Sequence, residues 1–578
     1  MPAHSATFLK TPFRYYFKQH KRRVALGLLA LLITNAFETT IPFLLGKTID
    51  KITHAAPFAD VLKTVALILC FTLILSTTRY LWRIFWGSFH HRVAEDLRNR
   101  LFDKYTELSA SFFRERKVGQ LISLIAHDVN SFRMGIGPGM LVLFDGIFYA
   151  SLIIPVMISI SLTWTLKTLV LMPFVPFVVR RLLGRVHAAY HSRQDRFSEM
   201  SGSAQEIISG IRVVKSFAQE ENQTRLFNRH SEKFQASCNR VALWDCFIPV
   251  VLELPVAVGS VALLLVGAPE VMSGAVSLGS FFAFYQYIQR MVWPMEAIGN
   301  AIGQIQEGRA SFSRIKKVLE TEPDVVDNGQ IELTSFESLE VRDLTFCYPG
   351  KTVPALANVS FRLVKGQTLG IVGETGSGKT TLIELLSRQY PVPSGKILVN
   401  GHSLEQISLR SLRRVMGVVP QEAFLFSRRV CENLAFSQDE WTPEDVTDAA
   451  EAVRLHQEIL TWPEKYESMV GERGVNLSGG QKQRMTLARA LMKEAELVIL
   501  DDSLSAVDAR TEQKILSKLK EQSTAIIISH RLAAVSFAEN ILVLKNGRVE
   551  AFGSHDEVMK NSAVYHQLHE IQKSAVLP

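Results

Sequence analysis

"TLGIVGETGSGKTTLIELLSR", Thr368–Arg388, decides the fold. An apolar strand-like run, "TLGIV", enters a glycine-rich turn and leaves through the helical "LIELLSR". The turn fits G-x-x-x-x-G-K-[ST] with Gly373, Gly378, Lys379 and Thr380. Glycines let backbone N–H groups close around phosphate oxygens at a helix N-terminus, Lys379 neutralises β/γ-phosphates, and Thr380 offers a hydroxyl to Mg²⁺. The expected nucleotide cradle is therefore Gly373, Glu374, Thr375, Gly376, Ser377, Gly378, Lys379, Thr380 and Thr381.

Around this loop the chain alternates short apolar strands, "RVMGVVP", "LVILD" and "TAIIIS", with amphipathic helices. That pattern predicts a soluble α/β domain over 339–578. Asp501, ending the strand "LVILD", is the natural carboxylate to serve Mg²⁺ at such a loop, directly or through a water. "LSGGQKQRMTLARAL", Leu477–Leu491, sets Ser478, Gly479 and Gly480 before another helix, a second anion-ready N-terminus. One nucleotide needs one phosphate loop, so the second implies nucleotide held between two copies.

The N-terminal half reads differently. The 578 residues are 47% hydrophobic yet 21% charged, so the two properties must be segregated along the chain. Stretches of about 20 apolar residues, the length of a bilayer span, occur at 24–48, 61–86, 139–162, 165–184, 243–267 and 277–299, and none follows. The connections after the second and fourth spans are long and rich in Arg and Lys, whereas the other connections are short and nearly free of them. By the positive-inside rule the long loops, the N-terminus and everything after the sixth span are cytoplasmic. This places the net charge of +8 without nucleic acid. Lys18, Lys21, Arg22 and Arg23 precede the first span, which reads as retained and anchored inward. The long loops carry helical spacing and predict membrane helices prolonged into the cytosol and joined by transverse helices near 111–123 and 205–217. The domains are then 1–318, a six-helix membrane domain, 319–338, a linker, and 339–578. Five scattered cysteines without CxxC spacing argue against a disulfide framework or zinc site.

The combined pattern resembles an ABC transporter of the exporter type, multidrug-resistance-like, with one membrane domain fused to one nucleotide-binding domain, and the resemblance covers nearly the whole chain. It implies ATP and Mg²⁺ as cofactors, ATP hydrolysis coupled to transport, and a multi-pass place in the cytoplasmic membrane among lipids. Gly373–Thr381 resembles the Walker A loop, Leu497–Asp501 the Walker B strand, and Leu477–Gln481, with Gln481, the signature motif. The resemblance gives Tyr348 to adenine stacking, Gln421 to the metal, water and transverse helices, Asp508 to the D-loop, and His530 to the γ-phosphate. "GERG", Gly471–Gly474, resembles a loop that feels the membrane domain. His402, His456 and His555 lack such placement and read as surface residues.

One position departs from the family pattern. Where a glutamate normally polarises the attacking water, this chain has Asp502, shorter by one methylene, about 1.5 Å. Misplacement on the scale of 1 Å can cost about 100-fold. In similar transporters this marks one half of a heterodimer with one degenerate ATP site, whose intact "LSGGQ" completes the partner's hydrolytic site. The expected partner is a second half-transporter, and a slow homodimer is the alternative. The expected cargo is hydrophobic or amphipathic and drug-like; a lipid or peptide exporter, or a non-transporting nucleotide-regulated membrane protein, are alternatives. Glu38, Asp145, Glu253 and Glu296 lie in or near spans, where a carboxylate often faces a cavity suited to a cationic or amphipathic substrate, and equally can face a partner helix or the span's cytosolic extension.

Overall fold

The computed structural model describes residues 8–576 apart from 170–174, 472–473, 475 and 506. The chain divides into two compact units, Met1–Thr106 with Lys117–Thr321, and Glu107–Arg116 with Glu322–Pro578.

The first unit is helical. Lys21–Thr53, Phe58–Glu107, Val118–Ile160 and Glu253–Met272 are, among the described residues, the helices long and apolar enough to cross a membrane. Phe58–Glu107 has 50 residues and at about 1.5 Å per residue runs about 75 Å, more than twice the roughly 30 Å hydrocarbon layer. Such a helix must continue well beyond a bilayer. The span expected at 165–184 includes 170–174, outside the described residues. The one expected at 277–299 is divided at Met291 into Leu278–Arg290 and Val292–Leu319. The first transverse segment is two short helices, Ala110–Glu115 and Val118–Ser123, with Arg116 and Lys117 extended between them. In the second, Ile211–Ser216 follows Val175–Ser209.

Small residues and borrowed caps hold these helices together. Gly46 and Gly279 bring two backbones into contact, and a Cβ on Gly279 would collide with the Gly46 carbonyl and the Asp50 carboxylate. Asp50 then caps the Leu278–Arg290 helix from outside, accepting from Gly279 N–H at 2.7 Å and Ser277 Oγ at 2.7 Å. A carboxylate there satisfies an otherwise orphaned N–H and complements the helix dipole. A π-bulge over Gly135–Gly139, which contains Pro138, lies within the spanning helix Val118–Ile160. The Gly137 carbonyl in that bulge accepts from the buried Trp86 indole at 2.8 Å.

The second unit is α/β. An antiparallel sheet is built from β1 (Ser338–Phe346), β2 (Leu356–Val364), β4 (Ile397–Val399) and β5 (His402–Ser403) in the order β2-β1-β4-β5. The larger sheet takes β3 (Thr368–Gly373), β6 (Met416–Val419), β7 (Leu497–Asp501), β8 (Thr524–Ile528), β9 (Asn540–Lys545) and β10 (Arg548–Gly553) in the order β10-β9-β3-β8-β7-β6. Strands β6, β7, β8, β3 and β9 run parallel. Both sheet faces are covered, which is why "LVIL" and "TAIII" are continuous apolar runs. Leu497 and Ile499 enter one core with Ile371, Ile526 and Leu542, while Val498 and Leu500 enter the other with Val372, Ile527 and Val543.

The stretch 319–338, read from composition as a linker, contains residues that dock on this second unit. Gln330 and Ile331 donate backbone N–H to Gln406 O at 3.0 Å. Arg388 bridges the Ile407 and Val326 carbonyls at 2.8 and 3.1 Å.

Candidate functional site: the nucleotide-binding edge

Strand β3 is buried along its whole length and ends between β8 and β9. The chain can turn into the Lys379–Leu386 helix because Gly376 and Gly378 take positive φ, +83° and +101°. At Gly378 a Cβ would also sit 2.7 Å from the Ala355 carbonyl, so only glycine fits. Lys379 is 7% exposed and curls back, its Nζ donating to the Gly373 and Glu374 carbonyls at 2.7 and 2.8 Å. Burial pulls its ammonium below the ordinary lysine value, with Asp501 and Asp502 working against that shift. A charged group held dry on its own backbone is placed to accept an anion.

Parallel pairing brings the other expected residues to the same edge. Val419 lies opposite Leu500, and Asp501 opposite Ile528. Gln421, Asp501 and His530 therefore all emerge at the C-terminal ends of neighbouring strands, where open α/β sheets bind ligands. Asp501 is 5% exposed. Burial raises its carboxyl above the ordinary value, and the hydrogen bond from Thr380 opposes this. Asp501, Thr380 and the exposed Gln421 offer only oxygen donors suited to a hard cation, a set that fits Mg²⁺.

Asp502 stands half-buried just past β7, its N–H bonded to the Ile528 carbonyl at 2.9 Å. Its φ is +43°, a left-handed backbone that aspartate tolerates better than longer side chains. His530 is exposed, and it is its backbone N–H, not its ring, that lies 3.5 Å from Asp502 Oδ1. Among the other histidines, His402 is exposed, whereas His456 and His555 are half-buried and bond Tyr466 and Tyr565 at 2.8 Å. Those two have structural work, contrary to the expectation of surface residues.

The signature helix, Gly479–Leu491, begins with a capping box. Ser478 Oγ accepts from Gln481 N–H at 3.2 Å, and Gln481 Oε1 accepts from Ser478 N–H at 2.9 Å. Glu458 holds this helix by accepting from Gln481 Nε2 at 3.0 Å and from Arg484 at 2.6 and 3.1 Å. Burial works to raise the Glu458 carboxyl, and these hydrogen bonds outweigh it, holding the group below the usual range. The helix packs on β6, at the sheet edge. That edge is three strands from β3, about 14 Å at the usual strand spacing of about 4.8 Å. Ser478 and Gly479 are exposed, Gly480 half-exposed.

Asp508 is the N-cap of Ala509–Gln522, accepting from Thr511 N–H at 2.9 Å, which lowers its carboxyl from the ordinary value. Two supports went unread in the sequence. Arg531, next to His530, ties the segment after Asp502 by donating to the Ser505 and Val507 carbonyls at 2.6 and 3.1 Å and to Glu512 at 3.0 Å. Arg114, one of the basic residues of the connection after the second span, forks onto Glu384 at 2.8 and 3.2 Å and donates to Tyr390 OH at 3.1 Å. Tyr348 joins that cluster: its OH bonds Thr381 and Glu384 at 2.8 Å, and the Arg114 guanidinium stands 5.7 Å from its ring centroid. Of "GERG", Glu472 and Arg473 lie outside the described residues.

In the helical unit, Glu38 and Asp145 line a cavity of about 630 Å³. Glu253 is exposed and is not among its lining residues, and the Glu296 side chain lies outside the described residues.

A polytopic helical unit joined to an α/β unit with a phosphate loop defines a nucleotide-driven membrane transporter. Comparison with known proteins agrees with that class. The family described as ABC transporter transmembrane region matches residues 24–295, and the one described as ABC transporter matches 356–505. The chain is 34% identical over 567 residues to the probable multidrug resistance ABC transporter ATP-binding/permease protein YheI of Bacillus subtilis (strain 168), covering 97% of each. It is 34% identical over 569 residues to the multidrug resistance-like ATP-binding protein MdlA of Escherichia coli (strain K12), covering 97% of this chain and 96% of that one. An ATP-dependent lipid A-core flippase of Syntrophus aciditrophicus (strain SB) is 30% identical over 563 residues, covering 96% and 93%. A solved bacterial Atm1-family ABC exporter with ATP bound has the same fold, with a TM-score of 0.79 at 24% identity over 95% of this chain and 99% of that one. The chain belongs to the ABC transporters, of the multidrug-resistance-like exporter type. It is a multi-pass membrane protein that binds ATP and couples ATP hydrolysis to export.

Proposed function

We propose that this chain is one half of a heterodimeric exporter of hydrophobic or amphipathic compounds in the cytoplasmic membrane, and that its own ATP site is the weaker of two. Asp502 carries the reading. It follows the buried Asp501 at the position where a water-activating carboxylate is expected, and its side chain is one methylene short. The distance between the signature helix and β3 supports the pairing. Ser478, Gly479 and Gly480 face outward at the far edge of the sheet, so they serve a phosphate loop on another chain.

In this reading Tyr348 carries the adenine, and Gly373 to Thr381 hold the phosphates with Lys379 turned from its own carbonyls onto them. Thr380, Asp501 and Gln421 would hold Mg²⁺, which supplies charge neutralisation between the phosphates when bound. His530 approaches the γ-phosphate, and Asp508 lies near the partner. Closure of two such domains on ATP favours one orientation of the membrane domains, and hydrolysis at the competent site resets them. The N-terminus and nucleotide-binding domain are cytoplasmic, following the basic loops. The likeness to a lipid A-core flippase favours a second reading, a lipid exporter.

Steady-state ATP turnover of the purified chain alone, then with a candidate half-transporter carrying glutamate at the matching position, tests the pairing. Poor turnover alone and a large gain on pairing are expected. Fast hydrolysis and transport by the chain as a homodimer would overturn it.

A further inference from the structure

In the cavity of the helical unit every carboxylate oxygen already has a donor, while several donors lack an acceptor among the described residues. Glu38 lines the cavity, and Arg79 donates to one of its oxygens at 2.8 Å and Arg290 to the other at 3.4 Å. Asp145 is engaged by uncharged donors: Oδ1 accepts from Asn35 and Oδ2 from the Trp293 indole, both at 2.9 Å. The donors are in surplus. Three guanidiniums, Arg79, Arg83 and Arg290, line the space against those two carboxylates. Arg83 has no carboxylate partner among the described residues, only the Trp82 ring at 5.6 Å. The Trp82 Nε1–H is buried with no acceptor among the described residues. Tyr149 spends its oxygen as an acceptor from Arg290 at 3.1 Å, leaving its hydroxyl proton to give.

Resting on the reading that this unit moves amphipathic compounds, we infer that its cavity selects amphipathic anions: a phosphate, carboxylate or sulfonate head on an apolar body. An acceptor-rich head completes Arg83 and Trp82, and excess positive charge in a low-dielectric surround attracts it from a distance. A cationic head would meet a Glu38 already paired with two guanidiniums and an unpaired guanidinium of its own sign, and even with Asp145 counted as a full charge the lining holds three cations against two anions. Leu31, Leu141 and Val142 supply apolar wall for the body, and a volume of about 630 Å³ is that of a small-molecule site. The same head chemistry can belong to a lipid or to a soluble organic anion.

The test uses the full-length chain, in the assembly in which it purifies, in phosphatidylcholine nanodiscs without nucleotide. Two probes share a fluorophore and chain and differ in head charge: dansyl-aminohexanoate and dansylcadaverine. Energy transfer from tryptophan to dansyl reads binding. The anion is expected to bind at least tenfold more tightly than the cation. Arg83→Ala should shrink that ratio below threefold and Arg83→Lys should keep it. Because Arg83 is exposed and carries no ion pair, its removal leaves the packing intact. Displacement by lauroyl-lysophosphatidate assigns the site to lipid phosphates, and displacement only by naphthalene sulfonate assigns it to soluble anions; either supports the inference. Displacement by neither, equal affinities, or a preference for the cation overturns it. ATP-driven accumulation of the probes in inverted vesicles is scored separately. Anion-selective binding without accumulation refutes the export reading and leaves the selectivity, whereas accumulation of the cation alone does the reverse.

Discussion

Two carboxylates, Asp501 in the nucleotide-binding unit and Glu38 in the helical unit, are both set among helices or strands that shield them, and their company is opposite. Asp501 is 5% exposed with a hydroxyl, that of Thr380, as its hydrogen-bond donor, and burial raises its carboxyl. Glu38 has a guanidinium on each oxygen. Burying a carboxylate without an ion pair is costly, and such a group persists where an external charge completes it. A carboxylate between two arginines is complete as it stands. On the proposed reading the first is completed by a cation; the second belongs to the wall of a cavity whose unpaired groups are donors.

The strongest way to break this contrast is to remove the cation nearest Asp501. Lys379→Ala should weaken ATP binding to the isolated chain by roughly 10- to 100-fold, the effect of losing a charged hydrogen-bond partner of about 1.5–3 kcal/mol. Equilibrium binding of a fluorescent ATP analogue measures it. An unchanged affinity would mean that the curled Lys379 never leaves the Gly373 and Glu374 carbonyls.

Asp502→Glu sharpens the same comparison from the other side. Restoring reach is worth up to about 100-fold, but glutamate is less at ease than aspartate at φ +43°, a loss of up to about 1 kcal/mol. A gain of roughly tenfold in ATP turnover by the chain alone is the net expectation. A lower rate would show that backbone conformation, not side-chain length, limits this site.

The contrast also explains what could be read in the chain before folding. The residues from Gly373 to Thr381, Asp501, Gln421 and His530 were legible because strand register alone carries them to one edge, and register follows from runs such as "LVILD" and "TAIIIS". Glu38 could be read only as facing a cavity or a partner helix, because Arg79 and Arg290 are 41 and 252 residues away and meet it only through helix packing. Arg114 and Glu384 were missed for the same reason, 270 residues apart. The division of the last predicted span at Met291 had a signal that went unread: Pro294, in the first turn of the helix that follows, has no N–H for the Arg290 carbonyl and cannot continue the preceding helix.

Glu38→Gln probes the completed carboxylate. It leaves Arg79 and Arg290 facing one another, so the helical unit should lose about 1–2 kcal/mol, below the roughly 3–5 of a fully buried pair. The discount reflects side-chain exposures of 28% for Glu38 and 42% for Arg79. Thermal unfolding in detergent reads the loss, and Glu38→Gln with Arg79→Gln should recover part of it, as a coupled pair requires. Equal losses that simply add would mean that the two residues do not interact. ATP affinity should not move.

The smallest effect is expected at Arg114, whose side chain is 54% exposed while its partner Glu384 is 12% exposed. An ion pair so open contributes about 0–1 kcal/mol, and the nucleotide-binding unit should unfold at nearly the same temperature in Arg114→Ala. Its reach is through geometry: the guanidinium fork fixes Glu384, and Glu384 with Thr381 fixes the Tyr348 hydroxyl. With the fork removed, Tyr348 gains freedom that ATP must remove on binding, and affinity should fall about two- to fivefold, an amount consistent with less than about 1 kcal/mol. Arg114→Lys keeps the charge without the fork and should resemble the alanine variant. A rise in affinity would carry a different meaning: the guanidinium, 5.7 Å from the Tyr348 centroid, would then be occupying the ring face that adenine needs.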